Sequence, residues 1–353
     1  MITLKCASRI LAGTLFLALT PGAFAQPSDR IQLHVNTSEA EAVLAILDKE
    51  SGNQAVTGDD WRRLFATEPY QRLKKREASM HRDFTDEDFK EFVLSPDLAP
   101  RATKLRNTLD AWKQADLAGA ARRILPYLPN TAVIHAKVYP VIKPQSNSFV
   151  FEPSTDAAIF LYLDPAISAA SFENIVAHEM HHIGFASIEK QTDALLANLP
   201  PNVKPAAEWI GALGEGFAML AAAGGPDVDP QATSKPEDRA RWNRDMANYN
   251  QDLRTLEQFF LEVIHGKLKT KDEIDEKAFT FFGIQGPWYT VGYKMAVTIE
   301  KEFGRATLVE CMADPGKLLA TYNRAATNWN AKSADKLALF SPELTAAITP
   351  AQP

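Results

Sequence analysis

Cysteine is almost absent. The 353 residues contain two, Cys6 and Cys311, too few for a disulfide-stapled fold, so stability must come from packing. A basic excess is missing as well. Against 38 Lys and Arg stand 44 Asp and Glu, a formal charge of −6. With no basic cluster either, nucleic acid is excluded as the expected partner. Internal repeats and low-complexity tracts are lacking. A hydrophobic content of 46% with 23% charged residues places the chain among ordinary folded proteins. Long apolar runs are confined to the start, and even that run is shorter than the ~20 residues a spanning helix needs.

That run reads as a leader. Lys5 and Arg9 give a positive start, Ile10 to Leu19 are mostly apolar, and Ala23-Phe24-Ala25 has the small-x-small form of a cleavage site. This is the layout of a secretory signal peptide. Cleavage after Ala25 leaves Cys311 as the one cysteine and 36 basic against 44 acidic residues, a formal charge of −8. No cysteine follows the apolar run, which argues against a lipoprotein. The expected location is periplasmic or secreted, with no stable membrane insertion after cleavage.

Three regions follow the leader. Residues 26–128 are expected to be helical. Thr37-Ser38 precede EAEAVLAILDKESG, which reads as a capped amphipathic helix, and DDWRRLFATEPYQRLKKREASM, DEDFKEFVLS and RATKLRNTLDAWKQADLAGAARRILPYL continue at helical spacing. Residues 129–225 change character. TAVIHAKVY alternates and is β-branched, NSFVFEP is a shorter strand, and AAIFLYLDP is an apolar run of strand length. Placed just before the next helix, AAIFLYLDP is either an edge that binds an extended peptide by strand addition or a buried central strand. SFENIVAHEMHHIGFASIEKQTDALLANL then predicts a helix of about seven turns with Ser171 as its cap. AAEWIGALGEGFAMLAAAGG predicts a second, ending at Gly224-Gly225-Pro226. Residues 226–353 open with a loop to about Pro236 and return to helices, EDRARWNRDMANYNQDLRTLEQFFLEVIHG and PWYTVGYKMAVTIEKEFG among them.

The chemistry is concentrated in AHEMHHIGF, residues 177–185. Seven histidines occur in the whole chain, and three fall here. His178 and His182 are four apart, which on a helix puts both imidazoles on one face, one turn apart, within reach of one metal ion. Glu179 projects beside that face, where it can contact a water without ligating. This H-E-x-x-H spacing, with neutral imidazoles and a carboxylate, predicts zinc. The helix is flanked by Ile175, Val176, Ile183 and Phe185, so polar groups buried in it need partners. His181 is rotated about 100° from His182 and is read as a wall residue.

Two imidazoles leave a ligand to find. Phe185 and Ile188 stand where a metzincin needs glycine and histidine, which excludes that class. Glu189, Glu208 and Glu215 are the candidates, and Glu215 in GEGFA is preferred. Gly214 and Gly216 each cost helix stability, up to about 1 kcal/mol, and small residues around a carboxylate let the second helix approach the metal helix.

His178-Glu179-x-x-His182 followed by Glu215 resembles the gluzincin, or peptidase MA-like, zinc peptidases. Trp209 to Ala218, WIGALGEGFA, is similar to the glutamate helix of their aminopeptidase branch, and the resemblance implies Glu215 as third zinc ligand. Departures are the 33-residue gap from His182 to Glu215, Gly214 in place of asparagine, and the lack of a G-x-M-E-N stretch. In overall layout, including GPWYTVGY, the chain looks most like bacterial zinc-dependent peptidases of uncharacterised-domain families.

The expected fold is α+β and mainly helical. A small sheet lies beside a zincin-type pair of metal helices, flanked by helical N- and C-terminal regions. The expected activity is zinc-dependent hydrolysis of peptide bonds in a peptide or protein substrate, as an endopeptidase, with Glu179 as general base. A tyrosine from a later helix completes the gluzincin pattern. Tyr289 and Tyr293 share a helix face; Tyr293 is preferred over Tyr289, with His265 behind both. A zinc hydrolase of a non-peptide substrate and a non-enzymatic zinc scaffold are the competing functions. A structural zinc site has no use for Glu179 and fills its fourth position with a protein ligand.

Overall fold

The computed structural model describes residues 29–349. The expected signal peptide and the Ala25 cleavage site lie outside them. The protein is mainly helical, with one small mixed sheet, an α+β fold.

A strand comes first, β1 (Ile31–Val35), where the sequence predicted helices only. Six helices follow: α1 (Ser38–Ser51), α2 (Gly58–Phe65), α3 (Glu68–Ser79), α4 (Asp86–Val93), α5 (Ala102–Trp112) and α6 (Leu117–Ile124). The sheet is completed by β2 (Ile134–Val141), β3 (Phe149–Phe151) and β4 (Ala158–Tyr162). Then come α7 (Ala169–Ala186), α8 (Glu189–Leu196), α9 (Lys204–Ile210) and α10 (Gly214–Ala223). The chain ends with α11 (Pro236–Ala247), α12 (Tyr249–Ile264), α13 (Lys271–Phe279), α14 (Pro287–Phe303), α15 (Arg305–Met312), α16 (Pro315–Lys332) and α17 (Pro342–Ile348).

Strand order is β1-β2-β4-β3. β1 and β4 run parallel to β2, with Ile31 opposite Ile134 and Val138 opposite Ile159, whereas β3 is antiparallel to β4. AAIFLYLDP is therefore the buried central strand, and its edge role is corrected. β4 is paired on both sides; the free edges belong to β1 and β3.

Alternation along the strands splits the sheet into two faces. Ile134, Ala136, Val138, Ile159 and Leu161 join a large core that also holds Val176, Met180 and Ile183 of α7. Tyr139, Val141, Ala158 and Phe160 pack on Leu73 of α3. Both faces are covered, as a parallel pairing requires. One apolar cluster runs from Ala40 to Ile348 through all three sequence regions. Cys311 is buried in it. No helix among the described residues is long and apolar enough to cross a membrane.

Several predicted helices are divided. Ser168, not Ser171, caps α7, its side chain accepting from the Ser171 N–H at 3.1 Å. The seven-turn expectation fails at Ser187. Its hydroxyl donates to Gly184 O at 2.6 Å and accepts from Val133 N at 3.0 Å, tying the helix end to the chain entering β2. The predicted α11–α12 helix breaks at Asn248. Across residues 204–223 the chain stays helical: Gly211 and Gly214 keep right-handed dihedrals, with a single 3₁₀ turn between α9 and α10.

Candidate metal centre

α7 leaves the sheet directly after β4 and packs back against it, so its histidines sit on a helix anchored along one side. On the other side it meets α10. The two helices converge at three side chains. His178 Nε2 lies 3.1 Å from Glu215 Oε2, His182 Nε2 lies 3.0 Å from His178 Nε2, and His182 Nε2 lies 3.3 Å from Glu215 Oε2.

That triangle can be tested against an ion. Ligand bonds of ~2.1 Å in a tetrahedron set donor atoms ~3.4 Å apart, and the three observed edges approach that value. The donor set, two imidazoles and a carboxylate, suits zinc. His178, His182 and Glu215 are also the one such cluster of His, Cys, Asp and Glu among the described residues. Their side chains stay 17%, 30% and 19% exposed, so the triangle is partly buried and not sealed from solvent. Glu189 and Glu208 are exposed and outside the cluster.

Charge within the triangle is strongly coupled. Burial opposes charge on His182, but Glu215 outweighs it and raises the imidazole to about 9. Burial likewise works against the Glu215 carboxylate, and the two histidines hold it well below its usual range. Glu179 is close enough to act on the charge of both His182 and Tyr289, and it is not part of the cluster. His181 points elsewhere. It is 1% exposed and packs on Phe185 at 5.0 Å, and burial keeps it neutral.

The small residues of GEGFA serve a different neighbour from the one the sequence suggested. A Cβ on Gly216 would stand 1.9 Å from Tyr293 N and 2.4 Å from Tyr289 O, and one on Gly292 would stand 2.1 Å from Leu213 O. The glycines thus let α10 touch α14 backbone to backbone, while Gly214 meets nothing within 4 Å. Glu215 reaches one way toward α7 as Gly216 seats α14 on the other. Gly216→Ala should therefore cost at least ~1–3 kcal/mol, because helix backbone cannot yield as a side chain does. Thermal unfolding measures this, and wild-type stability in the variant would refute the close crossing.

The crossing decides between the tyrosines. The Tyr289 ring lies near-parallel to that of His178, 6.3 Å between centroids and 21° between planes. Burial, and then the Glu215 carboxylate, hold its hydroxyl well above the usual range, so it stays a donor at neutral pH. Tyr293 lies one turn further along α14. Its hydroxyl donates to Val228 O at 3.4 Å and its ring packs on Trp242 at 5.4 Å. α14 thus crosses at a height that brings Tyr289, not the preferred Tyr293, beside His178. His265 also falls away, since it pairs with Glu343 at 2.8 Å.

The sequence reading missed the apolar surface beside Tyr289, formed by Trp209, Phe279 and Phe282, with exposed Ile284 in the turn that follows. Its signal was the run Phe279-Thr280-Phe281-Phe282 beside a glycine turn, more aromatic than a loop needs.

No curated protein and no solved structure matches the chain. A family model does match, over residues 61–331, and the chain belongs to that family, described as "Putative zinc dependent peptidase (DUF5700)".

Proposed function

We propose that this protein is a gluzincin-type zinc endopeptidase acting outside the cytoplasm on peptide or protein substrates. The observation that carries the reading is the 3.0–3.3 Å triangle of two Nε2 atoms and one carboxylate oxygen, with a second glutamate, Glu179, outside it and near enough to act on the charge of His182. His178, His182 and Glu215 would hold the ion. Zinc so held supplies Lewis-acid chemistry, acidifying water toward a pKa of ~7 and polarising a carbonyl.

The remaining work falls to side chains. Glu179 accepts the proton of the attacking water and returns it to the leaving amine. Tyr289, kept protonated, donates a hydrogen bond to the carbonyl oxygen as negative charge develops on it. The sheet offers the outer side of β3 as an edge for an extended peptide. The leader supports export, and the family description supports zinc and peptide hydrolysis.

The test is zinc content together with digestion of a peptide library, before and after a chelator. Zinc near one per chain and chelator-sensitive cutting are expected; chelator-resistant cutting would refute the reading. Tyr289→Phe should lower kcat by ~10²–10³ with little change in metal content, and Tyr293→Phe by less than ~3-fold. The reverse ranking would restore Tyr293 as the donor.

A further inference from the structure

The triad is partly exposed, and a row of aromatic rings leads away from it. From His178 the rings run without a break. Tyr289 stacks at 6.3 Å, Phe282 meets Tyr289 at 6.4 Å, and Phe279 meets Phe282 at 6.0 Å. Trp209 backs the row, 5.6 Å from Phe279 and 6.4 Å from Phe282. This row ends at Phe279, 62% exposed, and the turn two residues after Phe282 presents Ile284, 70% exposed; they are the most exposed large apolar side chains of the described residues. Elsewhere among those residues such side chains are at most half exposed.

The exposure is held in place by the backbone. Gly283 and Gln285 both have positive φ, +48° and +61°, and positive φ is strained for a residue with a side chain. That turn keeps Ile284 out of the core. Gln231, 1% exposed, pins it by donating from Nε2 to Gln285 Oε1 at 3.1 Å. The indole N–H of Trp209 is already taken by Asp275 at 3.2 Å, so the wall rewards apolar groups. Exposed apolar surface continuous with a reactive centre is the mark of a binding subsite.

We propose that this wall, from Tyr289 to Phe279 and Ile284, selects substrate, taking peptides with a large aliphatic or aromatic side chain beside the scissile bond. The proposal rests on the peptidase reading above. Phe279 and Ile284 are the specificity residues, and Phe282 links them to Tyr289.

The test uses zinc-loaded full-length protein and two measurements. In Glu179→Gln protein, labelled peptides identical but for one residue are compared by fluorescence anisotropy. Leu or Phe at that residue should bind at least ~10-fold tighter than Ala, and adding Phe279→Ser and Ile284→Ser should bring the ratio close to one. Protein with Glu179 intact, given a peptide library, should cut beside large apolar residues. Cutting without that preference, or a preference untouched by the double substitution, overturns the subsite and leaves the peptidase standing. No cutting by zinc-loaded protein overturns the peptidase reading and the subsite with it. A dimer dissolved by the double substitution, with peptide preference unchanged, also overturns the proposal and makes the wall a self-association surface.

Discussion

Glu179→Gln is expected to keep its zinc and lose ~10²–10⁴ of its turnover, the range a positioned general base contributes. Glutamine preserves the size and hydrogen-bonding reach of the side chain and removes its basicity. The three atoms that could hold the ion belong to His178, His182 and Glu215, so the substitution leaves the triangle complete. Glu179 is near enough to influence the charge of both His182 and Tyr289. Metal analysis and kcat on the same preparation decide the matter. Equal turnover by both proteins would remove Glu179 from the chemistry, and loss of zinc along with turnover would make it a ligand.

Glu215→Gln should do the opposite and weaken zinc binding by more than ~100-fold, since even outer partners of metal ligands are worth 10–100-fold. Glu208→Gln and Glu189→Gln, both at exposed positions, serve as controls and should bind zinc as before. The metal-free protein provides a second readout. Glu215 raises His182 to about 9 against the opposing effect of burial; without that carboxylate only Glu179 still opposes burial, and the imidazole should fall from that value. The sign for stability follows. A histidine raised on folding stabilises the metal-free protein fully below its unfolded pKa, and the contribution is lost as pH rises through about 9. Zinc competes with that proton, so affinity should rise with pH over the same window. Unchanged His182 titration by NMR in Glu215→Gln would place the carboxylate elsewhere.

Local rules carried much of the architecture. Helical spacing put His178 and His182 on one face, and that relation needs nothing beyond 3.6 residues per turn. Pro287 after Gly286 marked the start of α14, and Gly224 marked the end of α10, as observed. Breaks such as Ser187 escaped notice because periodicity continues through them; Ser187 ends α7 by bonding to Val133, 54 residues away in sequence. β1 escaped for a related reason. Its five residues gain a partner only at Ile134–Val138, and a short alternating run carries little signal without that partner.

The sequence by itself determined the H-E-x-x-H face and offered Glu215 as the carboxylate that meets it, although the small-residue reason given for Glu215 belongs to another helix. Tertiary structure alone decided which helix the small residues of α10 admit, that β4 lies inside the sheet, and which tyrosine lies beside His178. Tyr289 and Tyr293 are four apart, so one helix face carries both and no local pattern separates them. The Gly216–Gly292 contact sets the height at which α14 crosses α10. A crossing height depends on packing between segments far apart in sequence, and no periodicity within either helix encodes it.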